Sequence, residues 1–337
     1  QGGAGQAPAR QAALGAGILP KTPCTTVNKV CGSGMKAVMM AAQSIKLKES
    51  KIVVAGGMES MSNAPYLLPK ARQGLRMGDG QVIDLMLKDG LFDPYGDAHM
   101  GNFGELCARE LGFSREAQDQ YAHQSYEKAL RAEKEGWVKE EIVPVSIKVR
   151  GEEKTTSVDE EPSRYMPEKF GKLKPAFDPH GSITAANSSK ISDGAAALVV
   201  ADLAHIKALG LAPKARVVAS ATFAKDPQWF TTAPVDAIKL VLKNASLAVK
   251  DIGCFEINEA FSVVAMNAIK ELSLDPSTVN MFGGAIALGH PIGCSGARVL
   301  VTLLNVMRLK KIRFGCASLC LGGGEAVAMI LENMLEA

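Results

Sequence analysis

Between residues 33 and 46 the apolar side chains Met35, Val38, Met39 and Ala42 recur at the three- and four-residue spacing of a single helix face. Residues 297–304 do the same with Ala297, Leu300, Val301 and Leu304. The two stretches are copies. "SGMKAVMMAAQSIKLKESKIVVA" (33–55) lies without a gap on "SGARVLVTLLNVMRLKKIRFGCA" (295–317) at an offset of 262 residues (295 − 33), and both begin Ser-Gly, run a helix to Leu-Lys and finish in a short strand. "SDGAAALVVAD" (192–202) similarly matches the final "GGGEAVAMILEN" as a small-residue turn leading into a buried strand. Strands that alternate with helices and are almost continuously apolar predict an α/β layered fold with mostly central strands.

Residues 60–191 break this regularity. They hold the charge clusters "EKALRAEKEGWVKEE" and "RGEEKTTSVDEEPSR" and several Pro and Gly, as an inserted, solvent-rich unit would. The expected division is a first core domain of 1–59 plus 192–213, an insert of 60–191 and a second core domain of 214–337. The second copy opens with the strand "ARVVASA" at Ala215, whose counterpart falls about 47 residues ahead of Gln1 (215 − 262). The repeat therefore predicts a first domain lacking one strand and one helix. On that arithmetic the chain by itself is expected to aggregate or to be inactive.

Composition narrows the function. The chain has 337 residues, 47% of them hydrophobic, enough for more than one core. With 38 basic and 35 acidic residues the net charge of +3 offers no footprint for nucleic acid, so any anion binding is local. Seven cysteines, an odd count in a chain of this size, read as reduced thiols. No apolar run is expected to reach the roughly 18 residues of a membrane span, and the first residues carry no presequence pattern.

Candidate chemistry gathers at the starts of the two repeated helices. Cys31, between Val30 and Gly32, sits where a strand turns into a helix, and free backbone N–H groups with the positive end of the helix dipole favour a thiolate there. A buried structural thiol is the other reading of Cys31. His290, in "GGAIALGHPIGCSGAR", precedes the paired helix on the equivalent loop. If the halves pack about a local two-fold axis, thiol and imidazole share one pocket; otherwise His290 is a capped loop residue. The strand containing Cys320 opens into Gly322, Gly323 and Gly324, whose N–H groups can approach an oxyanion closely. Asn258 ends a strand just before a helix, as a site residue or as a cap.

"NKVCGSGMKA", "GGMESMSNAP", "HMG", "SDGAAALV", "EINEAF", "GGAIALGHPIGCSGAR" and "CLGGG" resemble, in order and spacing across the whole chain, the motifs of the thiolase family. The resemblance implies a thiolase-like duplicated α/β/α/β/α fold with an inserted loop domain. It implies an acyltransferase that condenses two acetyl-CoA molecules into acetoacetyl-CoA and CoA, reversibly, through an acetyl-cysteine. In that reading Cys31 is the nucleophile, His290 its base and Cys320 the second acid/base, a job suited to a thiol whose ordinary pKa is about 8.5. His290 and a water held by Asn258 form one oxyanion site, and the N–H groups of Cys31 and Gly322 the other. No redox cofactor takes part; coenzyme A is the substrate carrier.

The same resemblance places CoA against Ser189 and Met100 and beside Tyr126; Arg164, Lys169, Lys172 and Lys174, in a Pro- and Gly-rich stretch, either supply charge for the CoA phosphates or form a solvated basic loop. It also suggests a potassium ion held by Tyr126 and by carbonyls of Ala185, Ala186, Ser188 and Ile286, the basis for expecting a mitochondrial enzyme rather than a cytosolic or peroxisomal one. A homodimer or homotetramer is implied, with no nucleic-acid or membrane partner. Phe282 and "HMGNFGE" depart from the usual motifs and leave chain length open. The alternatives are a broad 3-ketoacyl-CoA thiolase of fatty-acid β-oxidation, or an inactive truncated CoA-binding homologue.

Overall fold

The computed structural model describes residues 2–334. The strands Ile52–Ser60 and Asp193–Ala201 pair antiparallel from Ile52↔Ala201 to Ser60↔Asp193. A four-stranded sheet runs in the order Cys254–Ile257, Phe314–Leu321, Glu325–Asn333, Ala215–Ala224, with the first pair parallel and the others antiparallel. The repeat is visible at element level: Ile52–Ser60 and Phe314–Leu321 start 262 residues apart (314 − 52), the offset read from the sequence.

The paired helices Ser33–Lys46 and Ile292–Lys310 lie together on the two-stranded sheet, and Ile292–Lys310 also lies on the four-stranded one. Their crossing is reciprocal. A Cβ at Gly34 would sit 2.6 Å from the backbone nitrogen of Ala297, and one at Gly296 would sit 2.5 Å from that of Met35. Gly34 corresponds to Gly296 and Met35 to Ala297 at the repeat offset, so the contact maps onto itself when the halves are exchanged, the signature of a local two-fold axis. The absence of side chains at both glycines lets the two backbones touch.

The sequence pattern suggested one apolar stripe on each helix. Ser33–Lys46 has one, with Met35, Val38 and Met39 buried. Ile292–Lys310 is instead buried nearly all round, because it has a sheet on either side: Cys294, Ala297, Leu300 and Thr302, spread round its circumference, are at most 2% exposed. Its 19 residues are long and apolar enough to cross a membrane by length and composition, which corrects the expectation that no run is; here it is the central core helix. The strands Phe314–Leu321 and Glu325–Asn333 are buried along almost their whole length, matching their continuous apolar runs. The outer face of the four-stranded sheet packs on the helix Ala233–Ala245. The two-stranded sheet alternates instead, leaving Val54, Met58 and Val199 exposed.

The 61–192 stretch joining the strands of that smaller sheet carries the helices Met100–Leu111 and Arg115–Lys134. His99 caps the first by accepting from Gly101 N–H at 3.0 Å, and Ser114 caps the second by accepting from Ala117 N–H at 3.2 Å. Both rest on Ser262–Leu272, and Arg115–Lys134 also packs on Ala285–Leu288. Met100 and Tyr126 are thereby brought to the second half of the chain.

Candidate active site

Cys31 stands immediately before Gly32, the N-cap of the helix Ser33–Lys46. The residue ahead of it, Val30, has a φ of +47°, a left-handed backbone that a β-branched side chain strongly disfavours. Local bonds hold it there. Val30 N–H donates to Asn28 Oδ1 at 2.9 Å, while Ser33 Oγ donates to Val30 O at 2.7 Å and accepts from Lys29 N–H at 2.8 Å. Lys29 also forms an ion pair with Glu325, tying this loop to the strand that follows the three glycines.

Cys31 is half-buried as a residue, but its thiol is enclosed by neighbouring atoms and meets the backbone N–H groups of Gly322 and of Cys31 itself, both of which favour its thiolate. Burial outweighs them and, with a smaller contribution from the charge of Glu59, pushes the thiol up to about 11. Cys320 is fully buried and also lies well above its ordinary value, first through burial and then through repulsion from Cys31. Two thiols sharing an enclosed site cannot ionise together. Met100 Sδ lies 3.6 Å from where a Cβ on Gly322 would stand, against the same turn.

His290 is 7% exposed, and burial, then the charge of Arg298, lowers it to about 4, so the ring is neutral. Ser295 Oγ donates to Pro291 O at 2.9 Å and lies 2.5 Å from His290 Nδ1. The serine proton being committed, Nδ1 is the donor of that contact and Nε2 carries the lone pair. Nε2 lies 3.4 Å from Asn258 Nδ2. Asn258 is fully buried, its Oδ1 has no partner among the described residues, and its N–H donates to Ser318 O at 3.0 Å, two residues before Cys320. Cys31, Gly322 and Cys320 thus form one cluster, His290 and Asn258 another, and the strand Phe314–Leu321 links the two.

Sequence reasoning missed three supports. Ser295 was seen only as part of the repeat, not as the group that fixes the histidine tautomer. Glu59 Oε2 accepts from Gly293 N–H at 2.9 Å at the start of the helix Ile292–Lys310, besides acting on Cys31. Glu259, 1% exposed, gathers Tyr121 OH (2.9 Å), Ser125 Oγ (2.7 Å), Asn280 Nδ2 (2.8 Å) and Ile286 N–H (3.1 Å), anchoring the segment that leads to His290. Its signal was present in "INEAF", where a glutamate follows an apolar strand.

The residues tied to CoA separate by depth. Met100 is buried beside Gly322, and half-buried Ser189 donates its N–H to Ala260 O at 3.1 Å. Arg164 is exposed and paired with Glu161 at 3.3 Å and Glu160 at 3.8 Å, and Lys169 is exposed on the turn Pro167–Lys172. Tyr126 is buried below that turn, stacked on Tyr165 at 4.8 Å. Phe282, the departure from the usual motif, is buried against Trp137 at 5.2 Å.

The potassium groups do not fit an ion. Lys190 Nζ already donates to Ser188 O at 2.9 Å and to Ile286 O at 3.3 Å, and Tyr126 OH donates to Glu161 Oε1 at 3.0 Å. Ala185 is exposed and Ala186 is buried. An ion sharing those carbonyls would stand beside an ammonium, a repulsion of about 4 kcal/mol at roughly 4 Å near a protein surface.

Against known proteins, the chain matches the thiolase N-terminal domain over residues 1–203 and the thiolase C-terminal domain over 211–333. It is 51% identical to acetyl-CoA acetyltransferase 1 of Arabidopsis thaliana over 98% of this chain and 81% of that protein. It is 49% identical to the mitochondrial acetyl-CoA acetyltransferase of Rattus norvegicus over 99% of this chain and 78% of that one. The crystal structure of Acat5 thiolase from Ascaris suum in complex with coenzyme A superposes with a TM-score of 0.93 at 45% identity, covering 98% of this chain and 85% of that chain. Two domain matches that together span nearly every residue, and a fold shared at this level, place the site described above in a known setting: the chain belongs to the thiolase family.

Proposed function

We propose that this chain catalyses the reversible condensation of two acetyl-CoA into acetoacetyl-CoA and CoA. The observation that carries the reading is the Cys31 thiol lying against the Gly322 N–H with Cys320 beside it; the family and the relatives' activity support it. Cys31 Sγ attacks the thioester carbonyl as His290 Nε2 takes the thiol proton. The N–H groups of Cys31 and Gly322 stabilise the oxyanion, and CoA leaves with a proton from His290. Acylation removes any negative charge from Cys31; Cys320 then passes its proton to the neutral His290 and takes one from the methyl of the second acetyl-CoA, and the imidazolium returns its proton to Cys31 Sγ as that thiolate is freed. His290 and Asn258 meet the resulting enolate oxygen; its carbon attacks the acetyl group and frees Cys31.

The neutral resting pair makes proton transfer concerted with attack, since neither a thiol near 11 nor an imidazole near 4 ionises alone at pH 7. Mass spectrometry after incubation with acetyl-CoA tests the reading: an acetyl group on Cys31 is expected, and acetylation of another cysteine with Cys31 unmodified would sink it. The rate of cleaving acetoacetyl-CoA against a long-chain 3-ketoacyl-CoA separates it from a β-oxidation thiolase.

The same proposal covers the division into 1–59 with 192–213, 60–191 and 214–337, the CoA contacts of Ser189, Met100, Arg164 and Lys169, a homodimer or homotetramer, and a place in lipid metabolism. Relatives of this likeness work in both mitochondrion and cytosol. The choice of mitochondrion rested on Tyr126 as an ion ligand, and it weakens with the cage.

A further inference from the structure

Lys190 touches the site from two directions. Its carbonyl accepts from His290 N–H at 3.0 Å and from Ser192 Oγ at 3.0 Å. Its ammonium reaches past its own loop to Ile286 O, four residues ahead of His290, while holding Ser188 O, and it lies 5.6 Å from the centre of the Tyr126 ring. Tyr126 is fixed in turn by its hydroxyl on Glu161 and by Tyr165 stacked on its ring, so it presents a constant π face to the cation.

We infer that the Lys190 ammonium is a tethered monovalent cation that fastens the Ser188 loop to the Ile286–His290 segment and so positions His290, standing where the family resemblance suggested a potassium ion. The chemistry matches what such an ion supplies: one positive charge shared by backbone carbonyls of two segments and an aromatic ring. Burial lowers the amine to about 8, with Glu161 and then Glu259 opposing that shift, so the charged form predominates at neutral pH. A free ion exchanges with the medium. A lysine does not, and the site is therefore filled whatever salt surrounds the protein.

This positioning role rests on the acetyl-CoA condensation proposed above, and the test is arranged to separate the two. Acetoacetyl-CoA cleavage and thermal melting are measured at constant ionic strength in potassium, sodium or choline chloride for the parent, Lys190→Ala and Lys190→Met. The parent is expected to have the same rate and the same melting temperature in all three salts. Lys190→Ala in choline is expected to lose about tenfold to a hundredfold in kcat, the scale of a misplaced catalytic group, and potassium should restore part of the rate and raise its melting temperature. Lys190→Met, whose stem fills the space without charge, should lose activity and gain nothing from potassium.

Activation of the parent by potassium over choline would overturn the inference. So would parent-like kinetics of Lys190→Ala in choline, or a loss that no cation repairs. If Lys190→Ala does not fold, the parent's response to the three salts decides. A parent without thiolase turnover would sink the proposed function, while the melting comparison would still judge the lysine.

Discussion

At the scale of single residues, the site is a set of groups held uncharged by burial until substrate arrives. Alkylation of Cys31 by iodoacetamide reports this directly. With the thiol near 11, the rate should climb about tenfold per pH unit from pH 6 to pH 10; a plateau below pH 8 would reveal a preformed thiolate–imidazolium pair instead. Glu59→Gln removes a charge that raises the thiol and should shift the curve to lower pH. His290 makes the opposite demand on the fold. Its folded-state value is depressed to about 4, so its stabilising share is complete above 6.5 and is lost as pH falls toward 4, about 3 kcal/mol in all. Urea melts at pH 7 and pH 4.5 should show a smaller loss for His290→Gln than for the parent; equal losses would mean that the histidine is not buried neutral. Cys31, His290, Cys320, Asn258 and Gly322 were legible because each stands beside a turn with distinctive neighbours. Glu59 and Lys190 were not, since their partners lie up to 234 residues away, and Ser295 was not, since its contact with His290 five residues ahead is made by the turn at Pro291 and not by any recognisable spacing.

Between elements, the decisive contact is the glycine crossing of Ser33–Lys46 and Ile292–Lys310. Gly34→Ala and Gly296→Ala each drive a methyl into backbone, and each should cost about 1–3 kcal/mol as overpacking. The double variant should cost less than the sum, because helices already forced apart by one methyl admit the second. Full additivity in thermal or urea melts would show that the two helices relax independently. The sequence repeat exposed this pair of helices and the strands after them, as Ile52–Ser60 and Phe314–Leu321 show. It could not show that one of them is sandwiched between sheets. That follows from the four-stranded sheet, in which Glu325–Asn333 pairs with Ala215–Ala224 from about 100 residues earlier in the chain, and it accounts for the all-round burial that a single apolar stripe failed to convey.

In the whole molecule, the duplicated halves contribute unlike parts to one centre: the first half brings Cys31, and the second brings Gly322, Cys320, Asn258 and His290. Every one of these groups comes from the same polypeptide, whatever assembly the chains form. The consequence is genetic. Two defective alleles, one encoding Cys31→Ala and the other His290→Ala, cannot rescue one another, because a mixed oligomer holds no centre with both groups intact. Co-expression of the two variants in a cell lacking its own enzyme should give no more activity than either alone. Recovery of a sizeable fraction of the normal rate would mean that neighbouring subunits exchange parts of the centre. A carrier of both alleles would thus be as deficient as a carrier of two copies of either.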